Sequence, residues 1–147
     1  MPKNYRALTK LRRQQFDLAE QELATVNARL RELERKREAL RADMRAIEPP
    51  ASGTGARLGA VLAQKRADMK AIEALELQID AVKAEKREKE RALRAAHIAL
   101  EQARSIETEV LKKLMEKRKR REAARLDEVA SQRFFRDHRQ KKEGEKA

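Results

Sequence analysis

The placement of glycine and proline is the feature that most constrains how this chain can fold. Apart from Pro2, these residues occur in the interior only within PPASGTGARLG, residues 49–59, and neither occurs again before Gly144. Both residues disfavour helix interiors, and a long stretch without them therefore favours one continuous helix. The sequence therefore predicts a first helix over residues 1–48, a turn over 49–57, a second helix over 58–140 and a disordered tail over 141–147.

Apolar residues recur in both predicted helices at alternating steps of three and four, the a/d heptad pattern of a coiled coil. In the first helix this stripe consists of Leu23, Val26, Leu30, Leu33, Arg37, Leu40, Met44 and Ile47. In the second helix it consists of Ile72, Leu75, Ile79, Val82, Lys86, Lys89, Leu93, Ala96, Leu100, Ala103, Glu107, Val110 and Leu114. Lys86 and Lys89 predict weak or widened packing near the middle of the second helix.

A second stripe lies upstream in the first helix, at Leu8, Leu11, Gln15 and Leu18. It keeps the same steps, but the five residues from Leu18 to Leu23 give it a different phase. We therefore expect the seam to slip and to rotate locally between these two leucines.

A short connection makes consecutive helices antiparallel neighbours. Reflection of the sequence about the turn places Leu40 beside residues 62–65 and Leu8 beside Ala96, and leaves the second helix without a partner beyond about Arg104. The predicted fold is all-α: a long antiparallel two-helix coiled coil with an extended C-terminal helix overhang.

The predicted overhang carries an unusual concentration of aromatic residues. Its segment LDEVASQRFF, residues 126–135, contains two of the three phenylalanines in 147 residues. Other apolar residues follow the overhang at helical spacing, from Ile106 to Leu114. Because nothing in the chain is predicted to cover them, these side chains indicate a surface that meets another molecule.

Composition excludes several protein classes. The chain has 42% charged residues and 3% aromatic residues, and regular apolar spacing favours long helices over disorder. It has no cysteine, so it has neither a disulfide scaffold nor a thiolate metal site. It also lacks a signal-peptide core and any run near the roughly 18 apolar residues of a membrane span. These features predict a soluble cytoplasmic protein.

The sequence offers no constellation for catalysis. GTGARLG lacks the preceding strand and the Lys-Ser/Thr ending of a phosphate loop. The two histidines, His97 and His138, are too far apart on one helix to share a metal ion, and two helices alone form no concave pocket. We predict that the chain is not an enzyme and takes no cofactor, no metal and no small-molecule substrate.

The net charge of +12 favours acidic partners. KKLMEKRKRREAAR, residues 112–125, has eight basic and two acidic residues, which is compatible with an acidic protein surface, a solvated face, nucleic acid or lipid. It lacks the asparagine or interleaved aromatics that base readout or base stacking would use, so nucleic acid is disfavoured. A basic nucleic-acid-binding coiled coil and a structural scaffold that dimerises through residues 110–114 stay open as alternatives.

Two segments make this sequence similar to a known family. LTKLRRQQFDLAEQELA (8–24), the Pro/Gly turn near residue 50 and ARLDEVASQRFFRDHR (124–139) resemble the FliJ family of flagellar type III export proteins. The most specific part is the closing motif of Leu126, Asp127, Glu128, Ala130, Arg133 and Phe134. Stalk proteins of the related virulence secretion systems share the architecture and are an alternative.

The resemblance implies a non-enzymatic stalk like the shaft of a rotary ATPase. In the family, the joined chain ends enter the hexameric export ATPase, and the protein contacts the cytoplasmic domain of the export gate and binds empty export chaperones. This implies a cytoplasmic protein that is peripherally associated with the inner-membrane export apparatus. The ATPase-binding residues implied are Leu8, Leu11, Arg12, Arg13, Leu126, Arg133, Phe134 and Phe135. The export-gate residues implied, on outward faces near the turn, are Arg37, Arg41, Met44, Leu58, Leu62 and Lys65.

Overall fold

A computed structural model describes the backbone of residues 2–47 and 55–146, and the side chains of residues 4–47 and 55–144. Over the described residues it contains two helices and no strand: α1, Pro2–Ala46, and α2, Gly55–Lys146. The two helices pack against each other, so the predicted all-α coiled coil is confirmed. Most of the predicted turn, residues 49–54, lies outside the described residues.

The ends of the helices differ from the predicted limits. The predicted turn includes residues 55–57, yet they form the first turn of α2, and the predicted tail is helical up to Lys146. Gln140, Lys141 and Lys142 are good helix formers, and basic side chains near a C-terminus interact favourably with the helix dipole. At the end of α1, Arg45 lies in the last turn, and the Ile47 N–H donates to the Met44 carbonyl at 3.3 Å.

The chain divides into two compact units. Unit 1 comprises residues 1–10 and 101–147, and unit 2 comprises residues 11–100. In each unit a segment of α1 lies antiparallel to a segment of α2. The two units are described separately below.

Unit 2 contains a hydrophobic cluster of Val26, Leu30, Ile79 and Val82, against which Leu33 packs. Ile79 is the most deeply buried of them, with 1% of its surface exposed. Burial of such side chains contributes about 1.5–3 kcal/mol each. All four are a/d positions, and of the predicted a/d positions from Leu23 to Ile47 and from Ile72 to Leu114 only Leu114 is exposed. The predicted heptad stripes are therefore confirmed almost throughout.

The predicted slip of the α1 seam is wrong. Leu11 and Leu18 are 47% and 56% exposed, whereas Phe16 is half-buried and Ala19 is buried. The steps from Leu23 back through Ala19, Phe16 and Arg12 keep the three-and-four pattern without interruption. One continuous register avoids rotating α1 against its partner, and the Phe16 ring fills the space beside the His97 ring, 5.7 Å away between centroids.

The predicted pairing in unit 2 is also wrong. Arg41 pairs with Glu76 at 3.2 Å, so the neighbours of Leu40 lie near Glu76 instead of at residues 62–65. Arg29 Nη2 approaches Glu85 Oε2 at 2.9 Å and Lys89 Nζ approaches Glu22 Oε2 at 3.0 Å; both are further ion pairs between the helices of this unit. Reflection about the turn assumes that both helices start level, but the match between two seams sets the register.

Unit 1 shows the same displacement of the register. The Thr9 hydroxyl donates to the Tyr5 carbonyl at 2.9 Å and lies 3.5 Å from the Ala103 carbonyl, and Arg6 lies 3.9 Å from Glu107. The N-terminal part of α1 therefore lies beside residues 103–107, about two helical turns beyond the predicted Ala96. Glu107, Val110 and Leu111 are half-buried, whereas every described side chain from residue 112 onward is exposed. The overhang begins after Leu111 instead of near Arg104.

Candidate partner-binding surfaces

The most exposed apolar side chains of unit 1 lie near the C-terminal end of α2. Leu126, Phe134 and Phe135 are 70%, 68% and 66% exposed, and Val129 is 42% exposed. We call the part of α2 over residues 126–139 the terminal surface. It carries this much apolar area because the heptad seam has ended and, among the described residues, no segment of α1 covers it.

The terminal surface has two sides. Leu126, Ala130 and Phe134 are spaced four residues apart, and they line one shallow groove together with Val129, Arg133 and the two aspartates Asp127 and Asp137. Phe135 lines a separate groove with Gln132, Arg136 and Arg139. The adjacent phenylalanines therefore face different directions, and a partner must contact the helix on both sides to bury both rings.

Aromatic contacts hold the Phe134 ring in place. The Phe135 ring packs edge-on against it, with centroids 6.0 Å apart. The His138 ring, one turn further along, lies parallel to the Phe134 ring, with centroids 6.2 Å apart and an interplanar angle of 5°. Such contacts contribute about 0.5–1.5 kcal/mol each when rings are well packed, and less when they are exposed. Phe134, Phe135 and His138 therefore form a small exposed aromatic cluster on this part of α2.

The structure separates the ATPase-binding residues implied by the family resemblance. Leu8, Leu126, Arg133, Phe134 and Phe135 belong to unit 1, but Leu8 is half-buried in the paired part. Its neighbour Thr9 contacts Ala103, and at about 1.5 Å per residue Leu126 lies roughly 35 Å further along α2. These residues therefore do not form one patch.

The other three implied residues, Leu11, Arg12 and Arg13, belong to unit 2. Leu11 and Arg13 are exposed, whereas Arg12 occupies a seam position, is half-buried and donates from Nη1 to Gln15 Oε1 at 3.0 Å. Of the three, only Leu11 and Arg13 are available to a partner without a change in the seam.

The implied export-gate residues all lie in unit 2. Arg37 and Met44 are half-buried seam positions, and Arg41 is held across the seam by Glu76. Arg37 and Met44 face α2, because a/d positions of α1 point towards the other helix, so their predicted outward orientation is wrong. Arg41 lies beside the seam and is engaged by its ion pair with Glu76. Leu58 and Leu62 are each 48% exposed, as predicted, whereas Lys65 is half-buried.

Two polar features of α1 were not evident from the sequence. Arg37 Nε is buried and has no hydrogen-bond partner among the described residues. One residue later, the hydrogen bond from Arg45 to Glu38 lowers the pKa of the Glu38 carboxyl below its ordinary value. Glu38 is exposed, so this pair contributes little to stability.

Unit 2 also contains a groove of about 440 Å³, which sequence reasoning missed. It lies between the helices and is lined by Arg29, Glu32, Leu33, Lys36, Gln78, Ala81 and Val82. The small side chain of Ala81 leaves room beside Leu33 and Val82. No periodic signal in the sequence distinguishes this alanine from the many others.

In the part of the chain that the structure describes, no group of three or more His, Cys, Asp or Glu side chains is placed to hold a metal ion. Within the same residues, neither helix has a stretch long and apolar enough to cross a membrane.

Comparison with family models relates this architecture to known proteins. The model described as "Flagellar FliJ protein" matches residues 2–139, which include α1, α2 as far as Arg139 and the whole terminal surface. The chain belongs to the FliJ family. No curated protein and no solved structure matches the chain.

Membership of the FliJ family fixes the broad role of the chain. The family is a non-catalytic component of the flagellar apparatus for type III protein export. The model that matches is that of the flagellar family. The related virulence-system stalks were the alternative that the sequence left open.

Proposed function

We propose that this FliJ-family chain is a non-enzymatic stalk of the flagellar export apparatus. In this proposal it binds the hexameric export ATPase through the terminal surface, connects the ATPase to the cytoplasmic domain of the export gate, and escorts empty export chaperones. It is a cytoplasmic protein held peripherally at the inner membrane. The observation that carries the proposal is the exposure of Leu126, Phe134 and Phe135 on a helical segment that, among the described residues, contacts nothing else.

Burial of the terminal surface in a partner provides the driving force. Each of these three side chains contributes about 1.5–3 kcal/mol when it is fully removed from water. Their two-sided arrangement requires a receiver that encloses the helix, and the central hole of a ring has that form. Arg133, in the same groove as Phe134, adds an orienting charge. Leu11 and Arg13 offer exposed side chains for a further contact.

The stalk connects two partners because its helices are stiff. The buried cluster around Ile79 resists separation of the helices, and ion pairs such as Arg29 with Glu85 oppose their sliding. For the gate, Leu58 and Leu62 are the best candidates, because both are exposed near the start of α2.

The test replaces both rings, as Phe134→Ala with Phe135→Ala. We expect affinity for the export ATPase to fall by about 100-fold, because two large apolar contacts are lost, and stimulation of ATP hydrolysis to fall with it. The far-UV circular dichroism should be unchanged, because both side chains are exposed and alanine is a good helix former.

A matched control removes two exposed apolar side chains elsewhere, as Leu77→Ala with Ile98→Ala, which are 73% and 56% exposed in unit 2. This control should bind and stimulate the ATPase normally. Normal stimulation by the phenylalanine variant, with intact helicity, would exclude the terminal surface as the ATPase contact.

A further inference from the structure

The segment before the terminal surface is basic and entirely exposed. We call residues 112–125 the basic block; it has eight basic and two acidic residues, and every one of its side chains is exposed. It is a continuous part of α2 in unit 1. The apolar residues of the terminal surface lie further along the helix, so binding through them does not account for this charge.

The charge of the basic block is not compensated within the described residues. Where the helices are paired, basic side chains have acidic partners, such as Glu107 for Arg6 in unit 1 and Glu85 for Arg29 in unit 2. No ion pair within 4.0 Å among the described residues includes a basic side chain of the block, although Glu116 and Glu122 lie in the same helix. The block therefore presents a strong positive potential to its surroundings.

The basic side chains are distributed around the whole circumference of the helix. At about 100° per residue, they leave no gap wider than roughly 100°. Lys112 and Lys119 share one face, Lys113 and Arg120 a second, and Arg118 and Arg125 a third, and these faces are about 120° apart. A flat partner contacts at most half of such a helix, so it would leave several of these charges in water.

The distribution disfavours two other acidic partners. A helix that lies on an anionic membrane has an apolar face opposite its basic face, and the block has only Leu114 and Met115 as large apolar residues. A helix that reads DNA bases commonly uses Asn or Gln for adenine beside its Arg and Lys for guanine, and the block has neither Asn nor Gln.

We propose that an acidic protein wall surrounds the basic block on all sides. This inference rests on the proposed function, and it names the chemistry of the receiving site: aspartate and glutamate side chains of the partner converge on residues 112–125 from around the helix. Opposite charge that encloses the block would speed association and fix the depth of entry, and it would suppress binding to neutral or basic cavities.

The spacing along α2 gives the receiver a second property. Phe134 lies nine residues after Arg125 and 22 after Lys112, which is roughly 15 to 35 Å along the axis. The receiving site therefore has two zones in sequence, an acidic wall followed by an apolar floor, and it is at least about 35 Å deep. A shallow pocket would accommodate the rings but not the block.

The experiment reverses charge on one face of the helix at a time in the full chain. The three variants are Lys112→Glu with Lys119→Glu, Lys113→Glu with Arg120→Glu, and Arg118→Glu with Arg125→Glu. Each changes the net charge by the same amount, and each leaves the terminal surface untouched. The matched control is Arg87→Glu with Arg94→Glu, which has the same seven-residue spacing on an exposed face of α2 in unit 2.

Affinity for the export ATPase is measured at low and at high salt. We expect each of the three variants to bind about tenfold or more weakly than the unsubstituted chain at low salt, with a smaller difference at high salt, while the control binds normally. Loss of affinity in only one variant would show a flat contact and overturn the inference. Three variants that bind like the control would also overturn it.

The outcomes separate this inference from the proposed function. If the phenylalanine variant loses binding while the three charge variants do not, only the enclosing wall is excluded. If the unsubstituted chain fails to bind the ATPase, the proposed function fails and the inference fails with it. A parallel titration with duplex DNA covers the remaining partner class: tighter binding to DNA than to the ATPase, lost in the charge variants, would assign the block to nucleic acid.

Discussion

At the scale of single residues, Arg37 is the least favourable element of the seam. It occupies an a/d position where the neighbouring positions, Leu33 and Leu40, are apolar, and its Nε is buried without an acceptor among the described residues. A buried donor without a partner costs about 1–3 kcal/mol. Such polar positions persist in coiled coils where they fix register or orientation at a cost in stability.

We expect Arg37→Met to raise the free energy of unfolding by about 1 kcal/mol, because an apolar side chain of similar length removes the unpaired donor. Urea unfolding followed by circular dichroism measures the change. The control is Arg31→Met, at an exposed position of the same helix, which should change stability by less than about 0.5 kcal/mol. A loss of stability specific to the Arg37 variant would mean that this guanidinium has an acceptor that stabilises it.

At the scale of the elements, α1 carries two candidate stripes, and only one is buried. The stripe through Leu11 and Leu18 has the larger aliphatic side chains, but the stripe through Phe16 and Ala19 continues the heptads of the cluster around Val26. Continuity is decisive because α1 is one helix, so its orientation is set by the many positions that already pack. The exposed leucines are then free for another contact.

A pair of alanine substitutions tests this register. Phe16→Ala should destabilise the chain by about 2 kcal/mol, since it removes a half-buried ring that packs beside His97. Leu18→Ala, two residues away, should cost less than about 0.5 kcal/mol, because Leu18 is 56% exposed. Thermal unfolding of both variants provides the measurement. If Leu18→Ala destabilised the chain more than Phe16→Ala, the predicted slip of the seam would be supported instead.

At the scale of the whole chain, the packed core and the terminal surface lie in different parts of the sequence. The buried residues lie between Ala19 and Ala103, whereas every described side chain from residue 112 onward is exposed. The exposed part contributes helix but no tertiary packing among the described residues. In the proposed function, the apolar and basic residues of this part are the ones that contact a partner.

Removal of residues 112–147 should leave the free energy of unfolding unchanged within about 0.5 kcal/mol, because no packed contact of the described residues is lost. The helical circular dichroism signal should fall in proportion to the residues removed, and ATPase binding should be abolished. A second truncation after Leu100, which also removes Ala103 and Glu107, should destabilise the chain. Equal stability of the two truncated chains would contradict this division.

Much of the candidate site follows from the sequence because it depends on exposure. Phe134 and Phe135 lie beyond any plausible pairing partner, so their exposure could be predicted even with the wrong register. Arg37 and Met44 show the limit, since an assignment carried over from a family resemblance placed seam residues on an outward face. The groove beside Ala81 could not be predicted, because it depends on how three particular side chains from two helices meet.

The sequence by itself determined the two helices and nearly every residue of their seam, because helix propensity and heptad spacing are local properties that a single chain records directly. Only the tertiary structure decided that Thr9 lies beside Ala103 and that Leu11 and Leu18 face solvent. Both outcomes depend on which of several similar offsets between two periodic seams buries the most surface with the fewest unpaired charges. That quantity belongs to the pair of helices and cannot be read from either one alone.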